Sequence, residues 1–486
     1  MLITGRAQLE SQTQMSVDGT LFNKIWNRHV IADLGEDFYL LYVDRHVIPD
    51  FNGSAFTRLR DRGLKVRKPL LTFATADHSV STDPNIADVL QNLNPHVQNL
   101  RQDTEEFGVK NFDLGQIGHG IVHVITPEMG IALPGLTVTI GDSHTCTNGA
   151  LGALAWGVGQ GEIVHILATQ TCVQQKPKTM RINLEGQLPP GIGGKDLVLF
   201  IIGQLGVAAG NGYAVEYSGS AIDIMPMESR LSLCNMSVEW GARYGIIAPD
   251  QITFDYLKDR TYSPKGAQWA AAMQDWLELA SDKDAVFDQE YTLDVSGLNS
   301  QITWGNSLDM VSSITGRVPY LDEVKNSAQR ANMQAAISYM GLEEGADLIG
   351  LEVHRVFIGS CTNSRISDLR AAASIVKGRK VANHVKAWVV PGSELVKRQA
   401  QEEGLDKIFL DAGFEWRNPG CSMCLSANGE TIGPGERAIS TANRNFAGRQ
   451  GPGSRTHISS PIVAAAAACA GFIVDPNQMD SKELNQ

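Results

Sequence analysis

An α/β protein of about three domains, with parallel-type sheets flanked by helices, is what this sequence predicts. Three observations predict it. The chain has 486 residues, more than one hydrophobic core usually holds, so it should divide into several. Short apolar runs ending in Gly, Pro or Asp alternate with longer amphipathic runs, the pattern of strands joined by crossover helices. Hydrophobic residues make up 43% of the chain and glycines number 48, the composition of a loop-rich globular enzyme and not of a fibrous or disordered protein.

Charge narrows the partners. The 41 Lys and Arg against 53 Asp and Glu leave a net charge of −12 with no block of like sign. That balance argues for a soluble protein and against one that coats nucleic acid. A small anionic substrate would therefore need a local group of arginines. The longest apolar runs, Leu197–Leu205 and Ile462–Val474, are too short to span a bilayer. The first residues lack the apolar core of a secretory signal. Seven cysteines, an odd count without an export signal, speak against a disulfide framework and for reduced thiols in the cytoplasm.

Taken in order, residues 1–19 read as a polar tail, with Met15 an alternative start to Met1. A first domain is expected over 20–178. Leu21, Ile25 and Val30 begin a helical stripe, and Tyr39–Val43 reads as a strand. Leu70–Ala76 is an apolar strand that delivers Asp77 and His78 at its end, where α/β sheets commonly display catalytic groups. Leu90–Phe107 has helical spacing. Gly120–Ile125 reads as a strand carrying His123, and Thr137–Ile140 as another ending in Gly141-Asp142-Ser143-His144-Thr145. The glycines from Gly149 to Gly161 let this segment approach other backbone closely.

A second domain is expected over 179–320. Its elements are a strand at Met180–Leu184, an apolar helix at Asp196–Gly206, a strand at Tyr213–Tyr217 carrying Glu216, and a helix at Leu231–Tyr244. Gly305–Pro319 reads as a linker. The third domain, over 321–473, alternates regularly. A strand from Val353 enters the turn Gly359-Ser360-Cys361, a helix covers Ser367–Lys377, a strand covers Ala387–Val390 and a helix covers Leu395–Glu403. The pair Cys421 and Cys424 follows in a Gly- and Pro-flanked turn, then Asn443-Arg444-Asn445-Phe446-Ala447-Gly448-Arg449, an alanine-rich helix, and a polar tail over 474–486.

Three groups of residues carry chemistry. Cys421 and Cys424, with Cys361 some sixty residues upstream, suit zinc, a dithiol redox pair or an iron–sulfur cluster. Structural zinc wants four tight ligands, and no second close pair exists. Three thiolates on a cubane would leave one iron open as a Lewis acid. The other cysteines read as core. Asp77-His78 and Asp142-Ser143-His144 are acid–imidazole pairs suited to proton delivery, with His123 and Glu216 as further candidates. Arg444 and Arg449 flank a glycine-bearing turn and match carboxylates bidentately, a grip for a di- or tricarboxylate.

Together, Gly359-Ser360-Cys361-Thr362-Asn363-Ser364, the Cys421/Cys424 pair, Gly141–Thr145 and Asn443–Arg449 resemble the aconitase family. The likeness runs from about Thr20 to Phe472. Phe73–His78, His165–Thr171 and Gly413–Arg417 resemble, more narrowly, its two-chain branch acting on isopropylmalate. The resemblance implies three aconitase-like domains around one 4Fe–4S cluster held by Cys361, Cys421 and Cys424, with the fourth iron open to substrate. It implies a dehydration followed by rehydration at the neighbouring carbon. By position, Asp77 and His78 would protonate the departing hydroxyl. His123 with Asp142, and His144 with Glu216, would hold water and hydroxyl. Ser143, Asn443, Arg444 and Arg449 would seat the cluster and the substrate carboxylates. Single-chain aconitases continue into a fourth domain, so a separate small subunit is expected to complete the site. A homoaconitase or a citraconate/methylmalate-type hydro-lyase shares these motifs and stays open. An aconitase-like RNA-binding regulator is the reading from another class, and the acidic balance counts against it.

Overall fold

The computed structural model describes residues 19–87 and 93–479. Both the start-site question at Met1 or Met15 and the last residues of the polar tail lie outside them, as does the 90–92 part of the helix expected over Leu90–Phe107. The described part of that helix is Pro95–Phe107, with Asn94 capping its first turn.

Three parallel sheets form the scaffold. The first has the strand order Lys110–Phe112, Thr72–Thr75, Arg45–Pro49, Thr137–Ile140, Leu154–Gly157. All four residues of Thr72–Thr75 and of Thr137–Ile140 are buried, as strands covered by helices on both faces require. The chain builds outward from Arg45–Pro49 to one side, then returns to add Thr137–Ile140 and Leu154–Gly157 on the other. That reversal opens a crevice at the carboxyl ends of the central strands, where α/β proteins place their ligands. Here those ends carry Asp50, Asp77-His78 and Asp142-Ser143-His144.

The third sheet repeats this topology. Its order is Glu415–Trp416, Lys386–Val389, Arg355–Ile358, Arg437–Ser440, Arg455–Ile458, again parallel throughout. Its carboxyl ends carry Cys361, the turn leading to Cys421, and Asn443-Arg444. Between the two in sequence comes a four-stranded parallel sheet, Tyr244–Ile246, Tyr213–Ser218, Lys178–Glu185, Gln289–Asp294. A three-stranded antiparallel sheet of Val30–Gly35, Phe38–Tyr42 and Thr171–Gln175 lies outside these.

Close backbone approach joins the sheets. A Cβ on Gly149 would sit 1.8 Å from the Gly245 carbonyl, and Ile247 donates its N–H to Gly149 at 3.0 Å. Only glycine fits there. Gly120 plays the same part against the third unit, where a Cβ would lie 2.5 Å from the Gly392 carbonyl.

Several elements depart from expectation. Gly120–Ile125 is not a strand; Val122–Glu128 is a buried helix. A short apolar run fits either, and here the Asp77 carboxylate settles the matter by accepting the Val122 N–H at 2.9 Å, capping the first turn. The expected linker 305–319 contains the strand Val311–Ser313, paired antiparallel with Gln301–Thr303. The helix expected over 231–244 is Met227–Asn235 plus a 3-10 turn, stopped by Gly241 at φ 94° before the strand Tyr244–Ile246. A further helix, Leu405–Ala412, had no counterpart in the sequence reading.

Candidate active site

The crevices of the first and third sheets face one another across a cavity of about 100 Å³. Asp77, His78, His123, Asp142, His144, Cys361, Cys421, Cys424, Asn443, Arg444 and Arg449 line it together with Ile121 and Leu425. Residues more than 370 positions apart in sequence thus line one cavity.

Asp142 is the hub of the polar side. His123 Nε2 donates to its Oδ1 at 2.5 Å, the His144 backbone N–H donates at 2.9 Å, and His78 Nε2 lies 3.3 Å from its Oδ2. Burial alone would raise this carboxyl, but the three histidines hold it well below the usual carboxylate range. His78 also donates from Nδ1 to Asp77 at 2.6 Å. Burial opposes its charge, yet Asp77 and Asp142 outweigh burial and lift its pKa well above the ordinary imidazole value. His123 behaves oppositely. Burial takes it below the ordinary value in spite of Asp142, and its buried Nδ1 has no partner among the described residues. The site therefore holds one imidazole as a donor and another as a neutral ring with a free lone pair.

Asp50 sets the first of these turns. Its carboxylate accepts the backbone N–H groups of Asp77, His78 and Ser79 at 3.3, 3.1 and 2.8 Å. Asp77 in turn fixes the cysteine loop, since its carbonyl accepts the Cys421 N–H at 2.8 Å.

His144 does not meet Glu216. Its Nε2 donates to Glu239 at 2.6 Å, and the same carboxylate oxygen receives Arg444 Nε at 2.8 Å. Arg444 reaches Ser143 Oγ with its other end at 3.0 Å. The pairing of His144 with Glu216 is thus corrected. Glu216 lies on the strand Tyr213–Ser218, away from the cavity, and accepts a hydrogen bond from Ser281 at 2.7 Å. Burial pushes its carboxyl up to about 7. Its burial is that of a core group in the second sheet. Glu239 went unnoticed in the sequence, although a lone acid inside the apolar stretch Met236–Trp240 was a signal.

The thiols occupy the opposite wall. None of the seven cysteines is paired. Cys361 and Cys421 pack together with Ile121 and Val124. Burial pushes the Cys361 thiol up to about 12 and the Cys421 thiol well above its ordinary value. Two amides aim at Cys361 Sγ, Asn235 Nδ2 at 3.1 Å and Asn443 Nδ2 at 3.2 Å. Behind this loop the Lys195 ammonium is buried and, among the described residues, donates to neutral oxygens of Thr362, Thr441 and Ala442, at 3.1, 2.9 and 2.8 Å. Two of the few non-glycine residues with positive φ adjoin these cysteines: Ser360 at 75° and Ser422 at 50°. Glu430 accepts the Ser422 hydroxyl and also the Thr82 N–H at 2.7 Å, locking one crevice to the other.

The chain matches the model of the aconitase family (aconitate hydratase) over residues 23–471. This chain belongs to the aconitase family. The 3-isopropylmalate dehydratase large subunit 1 of Bradyrhizobium diazoefficiens is 55% identical over 462 residues, 95% of this chain and 97% of its own. The crystal structure of Thermococcus kodakaraensis aconitase X in its holo-form covers 99% of this chain and 100% of its own, with a TM-score of 0.45 and 10% identity. At that likeness no residue is carried over from it.

The family implies a 4Fe–4S cluster, and the residues present fit one. Three soft sulfur donors share a small cavity, amide N–H groups point at a sulfur that gains from being thiolate, and a buried ammonium stands behind them. The other cysteines, Cys146, Cys172, Cys234 and Cys469, do not line the cavity. Among the described residues, Asp77, His78 and Cys421 also offer ligand atoms within 4.8 Å of one another. No described helix is long and apolar enough to cross a membrane.

Proposed function

We propose that this chain is the large subunit of a 3-isopropylmalate dehydratase, interconverting 2-isopropylmalate and 3-isopropylmalate through 2-isopropylmaleate in leucine biosynthesis. The 55% identity over nearly the whole of a large subunit of that name carries the reading. The facing sets of thiols, imidazoles and arginines support it. Cys361, Cys421 and Cys424 would hold one 4Fe–4S cluster, which when bound supplies a Lewis acid at the iron that protein leaves free.

The chain's own groups supply the rest. Arg444 and Arg449 grip the substrate carboxylates, with Ser143 and Asn443 beside them. His78, held as a donor between Asp77 and Asp142, gives its proton to the departing hydroxyl and recovers one when water returns. His123 offers the unpartnered Nδ1 as an acceptor, and His144, steadied by Glu239, donates to the oxygen that leaves and comes back. A separate small subunit would bring the base for the carbon-bound proton and most of the pocket for the alkyl side chain. Each parallel sheet would be the core of one domain, over 20–178, 179–320 and 321–473, in a cytoplasmic two-chain enzyme.

The test is anaerobic co-purification with the small subunit, then assay of isopropylmaleate formation. We expect a brown protein that turns over isopropylmalate only when both chains are present, and a colourless, inactive one for Cys424→Ser. Turnover of homocitrate but not of isopropylmalate would replace this reading with a homoaconitase.

A further inference from the structure

The helix Val122–Glu128 contains Pro127. Proline has no N–H, so the carbonyl four residues back, that of His123, loses its helical donor. Arg365 fills the gap. It is 3% exposed, and its guanidinium forks between two elements. Nη2 donates to the His123 carbonyl at 3.1 Å, and Nη1 donates to the carbonyls of Cys361 and Thr362 at 3.0 and 3.1 Å. The fork is anchored at its base, because the Arg365 N–H donates to Asp368 Oδ2 at 2.9 Å and Asn363 Nδ2 donates to Asp368 Oδ1 at 2.9 Å.

The two ends joined in this way are not arbitrary. One is the main chain of a cluster cysteine in the third unit; the other is the main chain of the neutral imidazole that pairs with Asp142 in the first. We propose that Arg365 is a positioning residue that holds Cys361 in register with His123 through the carbonyl that Pro127 leaves open. The proposal rests on reading Cys361 as a cluster ligand and His123 as part of the proton-handling set. Planarity matters to it: a guanidinium aims separate nitrogens at the two elements in a fixed fork, whereas an ammonium must serve both from one nitrogen on a shorter reach. Because a displacement of about 1 Å between reacting groups costs on the order of a hundredfold in rate, a clasp on both main chains acts on turnover without touching substrate.

The test has two arms. In the metal-free chain, Cys361, Cys421 and Cys424 are labelled with iodoacetamide and each rate is read by peptide mass spectrometry. Arg365→Met should speed labelling of Cys361 about tenfold and leave the other two at their wild-type rates, in keeping with the loss of charge-assisted hydrogen bonds to that loop alone. Arg365→Lys should fall between, and it decides the matter by itself if Arg365→Met does not fold. In the two-chain enzyme, Arg365→Met should lower kcat about tenfold with KM within about twofold. Pro127→Ala added to Arg365→Met should recover part of that kcat, since alanine's N–H caps the His123 carbonyl, while Cys361 stays quick to label. Wild-type labelling at Cys361, equal acceleration at all three cysteines, or no response of kcat to Pro127→Ala would each overturn the proposal. The labelling arm needs neither cluster nor partner. An unmodified enzyme that ignores isopropylmalate therefore sinks the functional reading, while the clasp is judged separately.

Discussion

One oxygen of Glu239 receives both His144 Nε2 and Arg444 Nε, so a single carboxylate aligns the proposed proton donor with the arginine proposed to grip substrate carboxylates. Glu239→Gln removes the charge from both bonds and should lower kcat about 10- to 100-fold, with initial rates of the two-chain enzyme as the measurement. Glu216→Gln should leave kcat within about twofold. It should also raise stability in alkaline buffer. The folded carboxyl titrates at about 7 against 4.5 unfolded, so its ionisation destabilises the fold progressively as pH rises through that window. Glutamine has no such penalty, a gain of up to about 3 kcal/mol that chemical denaturation at pH 8 would read. These two glutamates show where legibility stops. Both interrupt apolar stretches, at Tyr213–Ser218 and Met236–Trp240, and nothing local says which of them faces a histidine from another element. The cysteines, Asp77-His78 and Asp142–His144 were legible because each lies beside a turn whose composition marks a strand end.

At the scale of elements, the helix Pro461–Ala470 is built for close approach. Ala464 to Ala468 are fully buried, and the helix packs on Ile366–Val376, whose facing residues include Ala372 and Ala373. Two small surfaces meet there, under the strand Arg355–Ile358 that leads to Cys361. Ala467→Leu should overpack this contact and cost about 1–3 kcal/mol, seen as a lowered melting temperature. The strand-like reading of 120–125 failed for a reason of the same kind. Its apolar run fits either a strand or a buried helix, and the choice was made by Asp77, forty-five residues earlier, accepting the Val122 N–H. Strands such as Thr137–Ile140 were legible residue for residue because turn-forming residues bound them on both sides.

For the whole molecule, two sheets of like strand order present their crevices to each other, with the second sheet bracing the flank. Sequence motifs identified what stands at each crevice, but their facing one another follows from packing at Gly120 and from the Glu430 and Arg365 bonds, which no local pattern encodes. Acid should attack the first and third sheets together. Burial lowers His46, on Arg45–Pro49, to about 4, and burial with the neighbouring Arg437 lowers His457, on Arg455–Ile458, to about 3. The unfolded imidazoles bind protons from pH 6.5 downward while the folded ones do not, so stability should fall as pH drops from 6.5 towards 4. Each histidine adds up to about 1.4 kcal/mol per pH unit to that slope. Denaturant titrations across this range should show the slope, and His46→Gln should flatten it by one proton's worth. The spread of the site along the chain, from Asp77 to Arg449, has a consequence for biosynthesis. The residues proposed to handle protons leave the ribosome first and Cys424 only after more than four-fifths of the chain, so no shorter nascent fragment holds all three proposed ligands. Loading of the proposed cluster is thereby confined to the last part of synthesis or to the finished chain.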